Sequence, residues 1–237
     1  MGGSKGGNQM IETVSLYKIL SLGLSYPDET SWAIMEKQFT ISEGLFQGEM
    51  LSSLNIVKEC FQEYRQKLEK IRYDYMSIFD TGRKISPYET EYMTEKVSRK
   101  PFELVDLAGF YKAFGFRIAQ DIKHKESFDH ISIELEFMAI LTWKAAYARD
   151  KNQKEKEKIV LDARKSFFAD HLAKWGFFYC DQISRLTGYD YFKRVAGLLK
   201  LVLTLECDRY GLDISLINKQ MTRVPYEGVR GDELTCN

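Results

Sequence analysis

Four ionisable side chains interrupt one apolar stretch, FDHISIELEFMAILTW at residues 128–143: Asp129, His130, Glu134 and Glu136. At 100° per residue the apolar side chains around them fall on every side, the pattern of a helix buried all round. A lone charge in such a place is strongly destabilising unless it is paired. Asp129 fits an N-cap, its carboxylate accepting backbone N–H bonds. His130 and Glu134 are four residues apart and share a face, so they can pair. Glu134 projects between Met138 and Leu141, whereas Glu136 points almost the opposite way, near Ser132 and Trp143. Two readings fit these acids. In one, the helix is capped and its carboxylates are satisfied internally by Lys, Arg or Tyr. In the other, some of them face a cleft and receive a cationic ligand.

A second concentration of chemistry lies in DTGRKISPYETEYM, residues 80–93. Pro87 drives Ser86 toward an extended conformation, and Tyr88, Glu89, Glu91 and Tyr92 follow closely. This stretch reads either as a helix–helix connection whose tyrosines patch the core, or as an aromatic and acidic lip around a groove for a partner peptide.

Catalytic sets are missing. The only histidines are His124, His130 and His171, and no Glu-x-x-His precedes any of them, so a di-iron bundle site is not indicated. Asp121-x-x-His124 lies in a polar, turn-like stretch. There is no G-x-x-x-x-G-K-[ST], no G-x-G-x-x-G after a strand and no G-x-S-x-G. The four cysteines, Cys60, Cys180, Cys207 and Cys236, form no C-x-x-C and read as reduced thiols. The expectation is a protein without catalytic turnover, metal or cofactor.

The elements that must position these residues are helical. IETVSLYKILSLGLSY (11–26) gives a first helix ended by Pro27, and a second begins near Asp28. Residues 48–79 are too long for one ordinary helix, and a break is expected near Lys70. Pro101 marks a helix start, with Leu104, Leu107, Ala108, Tyr111 and Phe114 on one face. The charged run RDKNQKEKEK (149–158) reads as a solvated helix end and turn. Phe168, His171, Leu172, Trp175, Tyr179, Gln182, Ile183 and Leu186 form one later stripe, closed by Gly188. Phe192, Val195, Ala196, Leu199, Val202 and Leu203 form another. No segment alternates with period two for long enough to argue a strand. The fold expected is all-α, a single globular multi-helix bundle, with residues 1–10 as a flexible lead, 11–210 as the helical domain and 211–237 as an irregular extension.

Composition sets outer limits. The 237 residues are ample for a core, and 44% are apolar. Thirty-four Lys and Arg balance thirty-four Asp and Glu, which argues against an electrostatic nucleic-acid binder. MGGSKGGNQ lacks the apolar core of a secretory signal, and no apolar run approaches the length of a membrane span. A cytoplasmic protein is expected. The RGD tripeptide at 230–232 reads as chance.

Taken in order, five stretches resemble the TorD/DmsD/NarJ family of molybdoenzyme maturation chaperones. They are LYKILSLGLSYPDE, YDYMSIFDTGRKISPYETEY, DLAGFYKAFGF, DHISIELEFMAIL and FFADHLAKWGFFYCDQI. The second is similar to a Tyr-x-x-Leu-Phe element followed by Ser-Pro-Tyr-Glu, with Ile78 standing for the commoner Leu or Met. The fourth is similar to an Asp-His-x-x-x-Glu-Leu helix, here preceded by Phe128 where the family often has Pro. The resemblance implies an all-helical chaperone that binds the N-terminal leader, often a twin-arginine signal, and the apo catalytic subunit of a molybdopterin oxidoreductase. It implies peptide-binding roles for Tyr75, Phe79, Ser86, Pro87, Tyr88, Glu89, Asp129 and His130, to which the residue reading adds Glu134. Such a leader needs carboxylates for its guanidinium groups and an aromatic, Met-lined groove for its apolar stretch. Monomer and homodimer both stay open. The alternative function is a small helical nucleotide-binding protein or GTP hydrolase acting in enzyme assembly.

Overall fold

The computed structural model describes residues 4–92, 96–118 and 126–221. Its elements are α1 (Ser4–Gly23), α2 (Glu29–Ile41), α3 (Gly48–Tyr64), α4 (Leu68–Phe79), a 3₁₀ turn (Glu89–Tyr92), α5 (Lys96–Ala113), α6 (Ile131–Asp150), α7 (Lys154–Phe167), a π-turn (Phe168–Leu172), α8 (Ala173–Ser184), α9 (Asp190–Tyr210) and α10 (Ile214–Met221). Among the described residues there is no strand beyond an isolated bridge between Tyr88 and His130. The all-α expectation holds.

α6 is the centre of the molecule. Ile131, Leu135, Phe137, Met138, Leu141 and Ala145 are buried on several of its sides, as its lack of an amphipathic stripe requires. α1 packs along one side of α6 and α7 along another, while α9 is flanked by α3 and α8. Lys18 of α1 reaches Glu136 at 2.8 Å and satisfies the outer acid of α6.

The helix ends follow local chemistry. Asp28 caps α2, its carboxylate accepting from the N–H groups of Thr30 and Ser31 at 2.8 and 2.9 Å. α1 stops at Gly23, short of the expected Tyr26. A methyl group at Gly23 would lie 3.0 Å from a methyl of Val195, so the missing side chain admits α9. The break between α3 and α4 falls at residues 65–67, a few positions before Lys70.

Three expectations are corrected. α1 begins at Ser4, inside the stretch read as a flexible lead, because extending an existing helix fixes few further dihedrals per hydrogen bond. Pro101 lies within α5 rather than at its start. The stretch read as an irregular extension contains α10, whose Ile214 and Ile217, three apart, pack against the core beside α8. The pair Asp121/His124 and the RGD tripeptide lie outside the described residues.

No helix among the described residues is long and apolar enough to cross a membrane.

Candidate functional site

α4 delivers the first two site residues. Tyr75 and Phe79, four apart, both turn inward, their ring centroids separated by 5.1 Å. Phe79 also packs on Phe192 and Tyr179, so it belongs to the core. The chain then reverses sharply, the N–H of Gly82 donating to Met76 at 3.1 Å and that of Ile85 to Ile78 at 3.0 Å. Gly82 is required by this turn: a Cβ there would come within 1.8 Å of the Ser77 carbonyl oxygen. Gly82→Ala is therefore expected to lower stability by about 1–3 kcal/mol, read from thermal melting. An unchanged melting curve would show that the loop avoids the clash at no cost.

Pro87 then holds the backbone extended, as the sequence implied, and the loop pairs with the start of α6. The N–H of Ile131 donates to Pro87 (2.9 Å), and that of Glu89 donates to Asp129 (2.9 Å). This two-sided bridge sets the Tyr88 ring against the His130 ring at 5.2 Å. The capping roles differ from expectation. Asp129 is not the N-cap of α6. Its carboxylate accepts from the Thr90 hydroxyl (2.6 Å) and from the Thr90 N–H (3.4 Å), so it fastens the 3₁₀ turn. His130 caps α6 instead, Nδ1 accepting from the Ser132 N–H at 3.2 Å. An accepting Nδ1 assigns the ring proton to Nε2, which faces the Tyr75 hydroxyl at 3.3 Å and Glu126 at 3.7 Å. Burial pushes the His130 imidazole below its ordinary range, against the opposing charges of Glu126 and Asp129.

The expected His130–Glu134 pairing does not form. Glu134 is fully buried and accepts from the Trp175 indole N–H at 3.2 Å, while its other oxygen has no hydrogen-bond partner. Burial, with the Glu89 charge next, raises its carboxyl well above the usual range. Glu89 turns the same way, toward Nδ1 of His171 at 3.1 Å.

The structure thus brings Tyr75, Pro87, Tyr88, Glu89, Asp129 and His130 together where the loop meets α6. It seals most of them: Glu89, Asp129, His130 and Glu134 are each at most 2% exposed. Ser86 and Tyr88 are half-buried at the surface of this cluster. The acid that meets solvent there is one that sequence reasoning missed, Glu126, which accepts from the Tyr88 hydroxyl at 2.8 Å and keeps 17% side-chain exposure. It stands four residues before His130, and only that spacing could have flagged it. Phe128, 41% exposed, adds an apolar edge. Burial and the Glu126 charge push the Tyr88 hydroxyl up, so it is a donor at any ordinary pH. Chemically, this mouth offers a carboxylate, a phenol, a hydroxyl and an aromatic edge, a set suited to holding a cation-bearing chain.

A separate hollow of about 400 Å³ lies where α1, α3 and α9 meet. Leu16, Phe46, Met50, Val202 and Leu205 line it, with Glu12 and Arg209 among the polar groups, and it includes none of the residues chosen from sequence.

Residues 47–180 match the family described as the nitrate reductase delta subunit. That span includes the Tyr75–Phe79 element, the loop, the start of α6 and the His171–Trp175 helix. The chain belongs to this family. The delta-subunit match agrees with the TorD/NarJ-type resemblance of the motifs. A relative in Dechloromonas aromatica (strain RCB), named perchlorate reductase assembly chaperone protein, is 28% identical over 172 residues, covering 68% of this chain and 72% of its own.

Proposed function

We propose that this protein is a cytoplasmic assembly chaperone for the catalytic subunit of a molybdopterin oxidoreductase. It binds the N-terminal leader and the apo form before the cofactor is inserted. The observation that carries the reading is the family match over residues 47–180, since it spans every element of the mouth between loop and α6. The relative named as an assembly chaperone supports the same class.

In this reading Glu126 pairs an arginine of the leader, the Tyr88 hydroxyl and Ser86 add hydrogen bonds, and Phe128 takes apolar contact. Tyr75, Phe79, Pro87, Glu89, Asp129, His130 and Glu134 act from beneath, holding the loop against α6. A partly exposed carboxylate already held by a phenol is oriented before the guanidinium arrives, which reduces the ordering cost of binding. Leader affinity is expected to fall at least tenfold in Glu126→Gln and several-fold in Tyr88→Phe, with melting within about 0.5 kcal/mol of wild type. The measurement is calorimetric titration with twin-arginine leader peptides from molybdoenzymes, with GTP as a parallel titrant. Unchanged leader affinity in both variants would remove the mouth from the reading. Tight GTP binding without leader binding would favour the nucleotide alternative.

A further inference from the structure

Three carboxylates converge on a second buried histidine, and two of them, Glu103 and Asp106, have no part in the chaperone reading. His171 lies in the π-turn between α7 and α8, a single-turn widening of a kind that recurs at functional sites. Its side chain has no exposed surface. Nδ1 faces Glu89 at 3.1 Å. Nε2 lies 3.3 Å from Asp106 of α5 but makes no hydrogen bond of proper alignment. One turn away on α5, Glu103 completes the set. Donor atoms of Glu89, Glu103 and His171 all lie within 4.8 Å of one another.

We propose that Glu89, Glu103 and His171 bind one divalent transition-metal ion of the Zn²⁺ class, with Asp106 orienting the histidine ring. Zinc holds oxygen and nitrogen ligands at about 2.0–2.2 Å, so neighbouring ligand atoms on one ion stand about 3–3.5 Å apart. Glu89 and Nδ1 already have that separation. Glu103 needs to close by about 1.3–1.8 Å at most, and its partly exposed side chain can do so by a change of rotamer. Asp106, 60% exposed, lies 3.3 Å from Nε2, near enough to turn and accept the other ring N–H once Nδ1 ligates an ion. The imidazole selects against Mg²⁺ and Ca²⁺, which prefer all-oxygen sets.

Charge favours a dication as well. The three carboxylates are opposed by Arg99, 3.2 Å from Glu103 and itself more than half exposed, and by the nearby charge of Lys174. With a neutral imidazole the group is left with one net negative charge. Bound there, the ion would staple the 3₁₀ turn to α5 and to the α7–α8 rod. Nothing in the sequence spacing announces such a set, because its members come from three separated elements.

The test is titration of the chelator-treated protein with ZnCl₂ by calorimetry, with CoCl₂ absorption spectra and MgCl₂ and CaCl₂ as comparisons. One Zn²⁺ per chain is expected, with affinity reduced at least tenfold in Glu103→Gln and in His171→Gln, and several-fold in Asp106→Asn. Glu103 keeps 13% side-chain exposure where His171 keeps none, so its variant keeps the test valid if His171→Gln fails to fold. Absence of saturable Zn²⁺ binding overturns the proposal, and so does full affinity in Glu103→Gln or an intense cobalt–thiolate band. Leader titration is a separate readout, so either idea can fail alone.

Discussion

Arg164→Met is expected to cost about 3 kcal/mol of stability, the lower end of what removing one partner of a buried ion pair costs. Arg164 stands on α7 with 2% side-chain exposure. Its Nη2 donates to Glu206 of α9 at 2.8 Å, and its Nε donates to the Thr142 hydroxyl of α6 at 2.8 Å. Its Nη1 lies 2.8 Å from the second Glu206 oxygen but is aligned with the Tyr210 hydroxyl instead. One guanidinium therefore ties α6, α7 and α9 together. Removing it leaves a 5%-exposed carboxylate with Arg209 as its remaining close cation, at 3.1 Å. That remaining partner is why the lower end applies. Adding Glu206→Leu to Arg164→Met is expected to recover more than half of the loss, because an apolar pair of similar volume can replace a buried ion pair at little cost. Urea unfolding with an unchanged m-value measures both. A loss below about 1 kcal/mol in the single variant would show that the pair does not hold these helices.

Glu134→Gln is expected to stabilise the protein at pH 8 by about 1–3 kcal/mol, the scale of leaving a buried polar group unsatisfied. The carboxylate has one indole donor and one oxygen with no partner, in a fully buried place near Glu89. The sign follows from linkage. A carboxyl raised in the folded state contributes stability that is fully present below its unfolded value near 4.5, and loses it as pH rises through the folded value. The gain of the variant should therefore shrink as pH falls toward 5. His130 acts oppositely in the same scan: its folded value is depressed, so its contribution is lost as pH falls below about 6.5. The difference between variant and wild type cancels that shared background. A variant that melts below wild type at pH 8 would mean that Glu134 has a partner worth more than its burial costs.

Part of the geometry around the candidate site was legible in the sequence. Pro87 announces an extended segment, and that segment does pair with α6. The polar residues at the start of an all-round apolar helix announce a special N-terminus, and it is one. The assignment of roles was not legible. Asp129 is a good cap by type and His130 is not, so local rules favour the aspartate. The bridge between loop and α6 turns Asp129 toward Thr90, and His130 inherits the cap. The i,i+4 rule likewise joins His130 to Glu134 on an isolated helix, but each finds a partner from a distant element instead.

What the chain alone determined was its class and its approximate punctuation: helices throughout, breaks near Pro27, near Lys70 and within residues 149–158, and a motif order that carries the family. Those features rest on side-chain periodicity and backbone chemistry within a few residues, which a linear sequence records directly. What the tertiary structure decided was which polar groups are used up. Glu136 meets Lys18, Glu89 meets His171, Asp129 meets Thr90 and Arg164 meets Glu206 across separations of 39 to 118 residues. Burial turns those distant pairings into the choice between a structural acid and an available one. Glu126, four residues upstream of a histidine, is the acid that keeps partial solvent contact where the loop meets α6.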